Sequence, residues 1–111
     1  ETRRLGDITV FKLNEKRLDT SISGLLKGEF TMILKVEGVN KLIIDLSEVE
    51  SCDSSGLSAI LVANRIVSAT EGQIRLAAPS EKVQKLISIT QLDRVLSVTD
   101  TVEHALAELG K

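Results

Sequence analysis

Residues 42–67 read LIIDLSEVESCDSSGLSAILVANRIV, and the fold class is most clearly indicated by this segment. It opens on an apolar run, residues 42–46, that is broken only by Asp45, which is typical of a strand buried on both faces. After a loop at residues 47–53, core-facing residues recur at helical spacing; they are Leu57, Ile60, Leu61, Asn64 and Val67. A buried strand followed by an amphipathic helix predicts an α/β fold with parallel central strands.

Upstream of this stretch the sequence predicts two strands and a helix. Residues 8–13 are a β-prone run, and residues 2–5 are predicted to pair back with it as an edge strand. The helix begins at the capping residue Asp19 and ends at Gly38. Its predicted core positions are Ile22, Leu25, Leu26, Phe30, Ile33 and Leu34. Gly24 and Gly28 interrupt it, and we expect them to allow close packing against the sheet.

Downstream, strands and helices continue to alternate. We predict a strand at residues 73–78, a helix capped by Ser80, a strand at residues 95–98 and a last helix capped by Asp100. The whole chain, residues 1–111, is therefore expected to form a single α/β domain. Its sheet should be mixed, with four to five strands and parallel central strands, and should pack against about four helices.

Composition excludes several classes of protein. The 14 basic residues are scattered, the net charge is −2 and only two aromatic residues occur, which argues against direct nucleic-acid binding. One cysteine and one histidine cannot form an internal disulfide, a multi-cysteine metal site or a linked catalytic group, so we expect no enzyme activity, cofactor or metal. No apolar stretch of about 18 residues is present, which predicts a cytoplasmic protein without membrane insertion.

The most informative motif is the turn Asp53-Ser54-Ser55-Gly56, where the second long helix should begin. Aspartate and serine are good capping residues, and the glycine allows close backbone approach. A serine before a helix is most often only a cap. Two hydroxyls at one helix start also suit phosphorylation, because free amides and the helix dipole favour a phosphate there. Glu48, Glu50 and Asp53 would then make the modified face strongly negative.

The chain resembles a STAS domain, the fold shared by bacterial anti-sigma factor antagonists and the cytoplasmic tails of sulphate transporters. The resemblance covers nearly the whole sequence and is carried by residues 18–19, 42–46, 53–57 and 78–79. It implies binding to an anti-sigma factor that is itself a serine kinase, and so control of sigma-factor-dependent transcription. The kinase would phosphorylate the serine of the turn and release the antagonist, and a phosphatase would restore it.

By position in the motif, Ser55 is the first choice as acceptor and Ser54 the second. Two departures from the family pattern lie near this turn: Ser58 stands where glycine is common, and residues 14–17 replace the usual Gly-Glu. An alternative implied by the same resemblance is an unphosphorylated STAS subunit that docks to a transporter complex. The sequence leaves the oligomeric state open.

The predicted partner surface lies around the turn and along the outer side of the following helix. It comprises Asp53, Ser54, Ser55, Gly56, Ser58, Ala59 and Val62. Three other polar residues have structural explanations. Asp45 should bond loop amides at a strand end, Cys52 should be a small buried side chain, and His104 should lie on the surface.

Overall fold

The computed structural model describes residues 2–110, which form seven strands and four α-helices. The strands are β1 Thr2–Leu5, β2 Ile8–Lys12, β3 Arg17–Leu18, β4 Lys41–Asp45, β5 Ser51–Cys52, β6 Gln73–Ala77 and β7 Ser97–Thr99. The helices are α1 Thr20–Thr31, α2 Ser54–Ala69, α3 Glu81–Ile89 and α4 Val102–Leu109. A π-helical segment, Met32–Val36, extends α1. The predicted α/β class, with its mixed sheet and four helices, is confirmed.

Five strands form the main sheet in the order β1-β2-β4-β6-β7. The edge strand β1 is antiparallel to β2, whereas β2, β4, β6 and β7 are mutually parallel. The hairpin between β1 and β2 turns at Gly6, whose φ of +67° is a backbone conformation that glycine adopts without strain. The predicted edge strand and the parallel centre of the sheet are both present.

The central strand β4 contributes to two separate cores. Leu42 and Ile44 belong to the larger core, to which α1, α2 and α3 contribute, whereas Ile43 belongs to a smaller one under α4. All three side chains are fully buried. The continuous apolar run in the sequence thus reflects a strand covered on both faces, as predicted.

Helix α1 differs from its prediction on its outer side. Leu25 is 60% exposed, and a Cβ added at Gly24 or Gly28 would meet no atom within 4 Å. The expectation that Leu25 faces the core and that the glycines pack closely on the sheet was therefore wrong. Leu26 and Phe30 already fill the space above the sheet, so Leu25, about 100° around the helix from Leu26, turns outward.

Smaller differences concern element boundaries. The N-cap of α4 is Thr101, whose hydroxyl accepts from the amide of His104 at 3.0 Å, so the prediction of Asp100 was one residue early. Strand β7 begins at Ser97, and Val95 is exposed outside it. Among residues 2–110, no helix combines the length and the apolarity needed to cross a bilayer.

Candidate functional site

The two-stranded ladder of β3 and β5 brings the starts of α1 and α2 side by side. Leu18 pairs with Cys52 in parallel register, and the amide of Asp53 donates to the carbonyl of Leu18 at 3.0 Å. Asp19 directly follows β3 and is the N-cap of α1, and Asp53 directly follows β5 and is the N-cap of α2. Each strand has only two residues, too few for a periodic pattern, so neither strand was predicted from the sequence.

Asp53 alone caps α2. Its Oδ1 accepts from the amides of Ser55 at 2.9 Å and Gly56 at 3.1 Å. The amides that were expected to be free for a phosphate are thus already bound by this carboxylate. Ser54 and Ser55 are the first two residues of the helix, Ser54 exposed and Ser55 half-buried. Neither hydroxyl has a hydrogen-bond partner within residues 2–110.

Gly56 makes the close approach that the sequence predicted. An added Cβ would lie 2.5 Å from both the Cβ and the carbonyl oxygen of Leu18, and 2.8 Å from the Sγ of Cys52. Glycine is therefore required where α2 crosses the β3–β5 ladder. Since Gly56 is itself buried, it shapes the turn but cannot offer a partner contact.

The outer side of α2 exposes less surface than predicted. Ala59 is fully buried, and Ser58 and Val62 are half-buried. Ala59 was therefore wrongly assigned to the partner surface. Its burial follows from the packing of α1 along α2, which covers a second flank of the helix in addition to the side that faces the sheet. The exposed part of the predicted surface is reduced to the turn itself and the partly accessible Ser58 and Val62.

The charge around the turn is also more balanced than predicted. The Nζ of Lys12 lies 3.7 Å from the Oε1 of Glu48, and the Nζ of Lys16 lies 3.9 Å from the Oε2 of Glu50. These exposed pairs contribute little to stability, but they neutralise the two glutamates locally. Asp53 remains as a carboxylate at the turn, so a phosphate there would add its charge next to one acid rather than three.

Cys52 is a half-buried thiol whose Sγ donates to the carbonyl of Asp53 at 3.4 Å. Burial, followed by the nearby negative charge of Asp53, raises the pKa of this thiol to about 11. At neutral pH it is therefore protonated and a poor nucleophile, because the thiolate is the reactive form. The structural explanation of Cys52 is favoured, although the side chain is less buried than predicted.

The other two polar residues lie where the sequence placed them. Asp45 ends β4, is buried and accepts from the amide of Ser47 at 2.9 Å, as expected for a strand-end carboxylate. His104 is exposed on α4, with its Nε2 3.3 Å from Glu108. Within residues 2–110, no three His, Cys, Asp or Glu side chains gather in a way that could hold a metal ion.

Ser23 is a residue at the site that was missed in the sequence. It lies on α1, is 6% exposed, and its hydroxyl donates to the carbonyl of Ser55 at 3.0 Å. A signal was available, because Ser23 shares the helix face of Leu26 and Phe30 and is the polar residue among apolar ones. A buried hydroxyl at such a position needs a partner on another element.

Comparisons with known proteins give a consistent picture. A family model described as the STAS domain matches residues 1–105. A candidate anti-sigma factor antagonist of Thermotoga maritima is 32% identical over 108 residues, which cover 97% of this chain and 96% of that protein. A crystal structure of a candidate anti-sigma factor antagonist from T. maritima has a TM-score of 0.91 at 29% identity and covers 100% of this chain and 94% of that one.

More distant structures share the fold alone. The phosphorylated form of the Bacillus cell fate determinant SpoIIAA has a TM-score of 0.74 at 20% identity, covering 97% of this chain and 96% of that one. A sulfate transporter family protein from Wolinella succinogenes has a TM-score of 0.81 at 16% identity, covering 96% of this chain and 87% of that one. The same fold therefore occurs in a Bacillus cell fate determinant and in a sulfate transporter family protein.

Proposed function

Because the chain belongs to the STAS domain family, we propose that it is an anti-sigma factor antagonist whose partner binding is switched off by phosphorylation of Ser55. The partner is a serine kinase that also serves as the anti-sigma factor, and a phosphatase reverses the modification. The protein regulates sigma-factor-dependent transcription in the bacterial cytoplasm. Proteins of this type act through regulated binding and not through catalysis of their own.

The observation that carries this proposal is the pair of unpartnered hydroxyls on the first turn of α2. Ser54 and Ser55 lie at the surface end of the helix, and neither hydroxyl is used to stabilise the fold within residues 2–110. A serine that served only as the cap would accept from a backbone amide, whereas here Asp53 does so. The plain capping interpretation thus applies to Asp53 and leaves the serines available for chemistry.

The effect of the phosphate is electrostatic. A phosphoserine carries about −1.5 to −2 charges and would lie next to the Asp53 carboxylate. Because this carboxylate already occupies two helix amides, the phosphate can bind those amides only if it shares or displaces the cap. Either way the added charge is at the surface, and a partner docked on the turn is repelled while the core is unchanged.

The first experiment is to incubate the protein with the purified anti-sigma factor kinase and ATP, and to map the modified residue by mass spectrometry. We expect modification at Ser55, its loss in S55A and its persistence in S58A, which removes a hydroxyl one turn further along the same helix. Modification confined to residues other than Ser54 and Ser55 would overturn the proposed site.

The second experiment measures binding of the same kinase to charge variants by calorimetry. S55D should bind at least about tenfold more weakly, which corresponds to about 1.4 kcal/mol, since the added carboxylate must lose its water when the partner docks over it. The matched control is S68D, which places the same charge on an exposed serine at the other end of α2. Undiminished binding by the S54D/S55D double variant would contradict the switch and favour a docking role that is independent of phosphorylation, as in a transporter complex.

A further inference from the structure

We propose that Ser23 is a positioning residue for the Ser55 hydroxyl, holding the first turn of α2 in the orientation in which Ser55 is phosphorylated. This inference rests on the proposed phosphorylation of Ser55. The two residues are 32 positions apart in sequence, and a single bond of 3.0 Å joins the Ser23 Oγ to the Ser55 carbonyl. Ser23 is buried and contacts Ser55 at its backbone carbonyl, so it acts through the backbone of Ser55 and not on the hydroxyl directly.

The route of this hydrogen bond is unusual for a helical serine. A serine inside a helix commonly donates to the carbonyl four residues earlier, on its own helix. Here the amide of Ser23 bonds the carbonyl of Asp19, whereas its hydroxyl crosses to the neighbouring helix. The hydroxyl is buried, so loss of this contact would leave a polar group without water. The link between α1 and the start of α2 is therefore persistent.

The bond completes the restraint of Ser55. The amide of Ser55 donates to the Asp53 carboxylate at 2.9 Å, and its carbonyl accepts from Ser23. Both polar backbone groups of Ser55 are thus held by residues outside the helical ladder, and rotation about χ1 is the main freedom left to the hydroxyl. Ser54 has no hydrogen bond to another helix or strand within residues 2–110. First turns otherwise fray easily.

This restraint has a consequence for phosphoryl transfer. The reaction requires the attacking oxygen to lie in line with the leaving group, and catalysis depends mainly on positioning. A turn that frays would still dock to the kinase but would present the Ser55 hydroxyl in productive geometry less often. Loss of the Ser23 bond should therefore lower kcat more than it raises KM, and should shift part of the modification to Ser54.

The test compares S23A, S23T and T99V. Thr99 is the matched control because its hydroxyl is also buried and donates to backbone carbonyls, those of Thr101 at 2.9 Å and Leu76 at 3.4 Å, but on β7 and away from the turn. Kinetics with the anti-sigma factor kinase and ATP give kcat and KM, and mass spectrometry gives the ratio of Ser54 to Ser55 modification. Amide hydrogen exchange by NMR reports on the turn without any kinase.

We expect S23A to reduce kcat about fivefold, the factor that corresponds to one net hydrogen bond, with KM within twofold of wild type. Exchange of the Ser55 and Gly56 amides should accelerate about fivefold, whereas exchange in the middle of α2 should not change. S23T should restore the wild-type ratio of Ser54 to Ser55 modification. T99V should leave kcat, KM, this ratio and the exchange of the Ser55 and Gly56 amides unchanged, because the contact it removes lies away from the turn.

Two results of the hydrogen-exchange measurement would overturn the inference. One is equal exchange of the Ser55 and Gly56 amides in wild type and S23A, and the other is an equal acceleration in T99V. The kinetic arm separates this inference from the proposed function. If the wild-type protein is not modified at Ser55, the proposed function fails, along with the positioning role. If the wild type is modified and S23A matches it in rate and site, only the positioning role of Ser23 fails.

Discussion

At the scale of single residues, Thr9 is a position where the sequence does not maximise the stability of the fold. Thr9 on β2 is 1% exposed, and its Oγ1 has no hydrogen-bond partner within the part of the chain that the structure describes. An unsatisfied buried hydroxyl costs about 1–3 kcal/mol. Its strand neighbours Ile8 and Val10 face the small core under α4, whereas Thr9 faces the larger core on the other side of the sheet. The Thr9 hydroxyl therefore destabilises the folded state, because it is buried among apolar side chains without a hydrogen-bond partner.

We predict that T9V raises the free energy of unfolding by about 1 kcal/mol, because it replaces the unsatisfied hydroxyl by a methyl group of similar shape. Urea denaturation monitored by circular dichroism measures this change. T99V is the control, since its hydroxyl does have carbonyl partners and its removal should destabilise the protein. A lower urea midpoint for T9V than for wild type would show that the Thr9 hydroxyl is satisfied in solution.

Cys52 gives a second prediction at this scale. With the pKa of the thiol raised to about 11 by burial and by the charge of Asp53, only about one thiol in a thousand is ionised at pH 8, since each pH unit changes the ratio tenfold. Alkylation by iodoacetamide should be slow at pH 8 and should rise about tenfold per pH unit up to about pH 11. D53N, which keeps a capping side chain, should react faster. A rate that levels off near pH 9 would contradict the assignment.

Among the secondary-structure elements, two helical glycines have opposite environments. Gly28 on α1 faces open space, whereas a Cβ at Gly56 on α2 would lie 2.5 Å from the backbone carbonyl oxygen of Leu18. We predict that G28A stabilises the protein by up to about 1 kcal/mol through helix propensity. G56A should destabilise it by about 1–3 kcal/mol, because α2 must move away from the β3–β5 ladder. Urea midpoints of the two variants test both; equal shifts would contradict the predicted difference.

The same elements show what periodicity can and cannot predict. It located α2 and the doubly buried strand β4 correctly, because those patterns depend on burial against the sheet. It misplaced Leu25 and Ala59, because burial on a helix flank depends on which other helix packs there. The ladder of β3 and β5 could not be predicted, since it consists of two residues on each strand and is specified by the long-range fit of Gly56 against Leu18.

Two aspartates, Asp7 and Asp19, hold the ends of secondary-structure elements in the domain. Lys41 on β4 contacts the Asp7 carboxylate at 2.9 Å and the carbonyl of Leu109 at 3.3 Å, so it connects the first hairpin to the end of α4. Asp19 caps α1 through the amide and the hydroxyl of Ser21. Contact with Lys41, through a hydrogen bond and then its charge, lowers the pKa of Asp7. Hydrogen bonds from Ser21, first from its hydroxyl and to a smaller extent from its amide, lower the pKa of Asp19.

The lowered pKa values of Asp7 and Asp19 predict how stability falls at acid pH, the acid limb of the curve of stability against pH. A carboxyl whose pKa is lower in the folded state binds fewer protons there than in the unfolded chain. The stability that Asp7 and Asp19 contribute is thus complete above their ordinary pKa, about 3.9, and is lost as the pH falls through the lower folded values. Urea midpoints between about pH 2 and pH 7 should fall below about pH 4, and less steeply in D7N/D19N. Added salt should weaken the Asp7 contribution more, because the charge of Lys41 is screened whereas the Asp19 bonds are local. An acid limb of equal slope in wild type and double variant would refute both assignments.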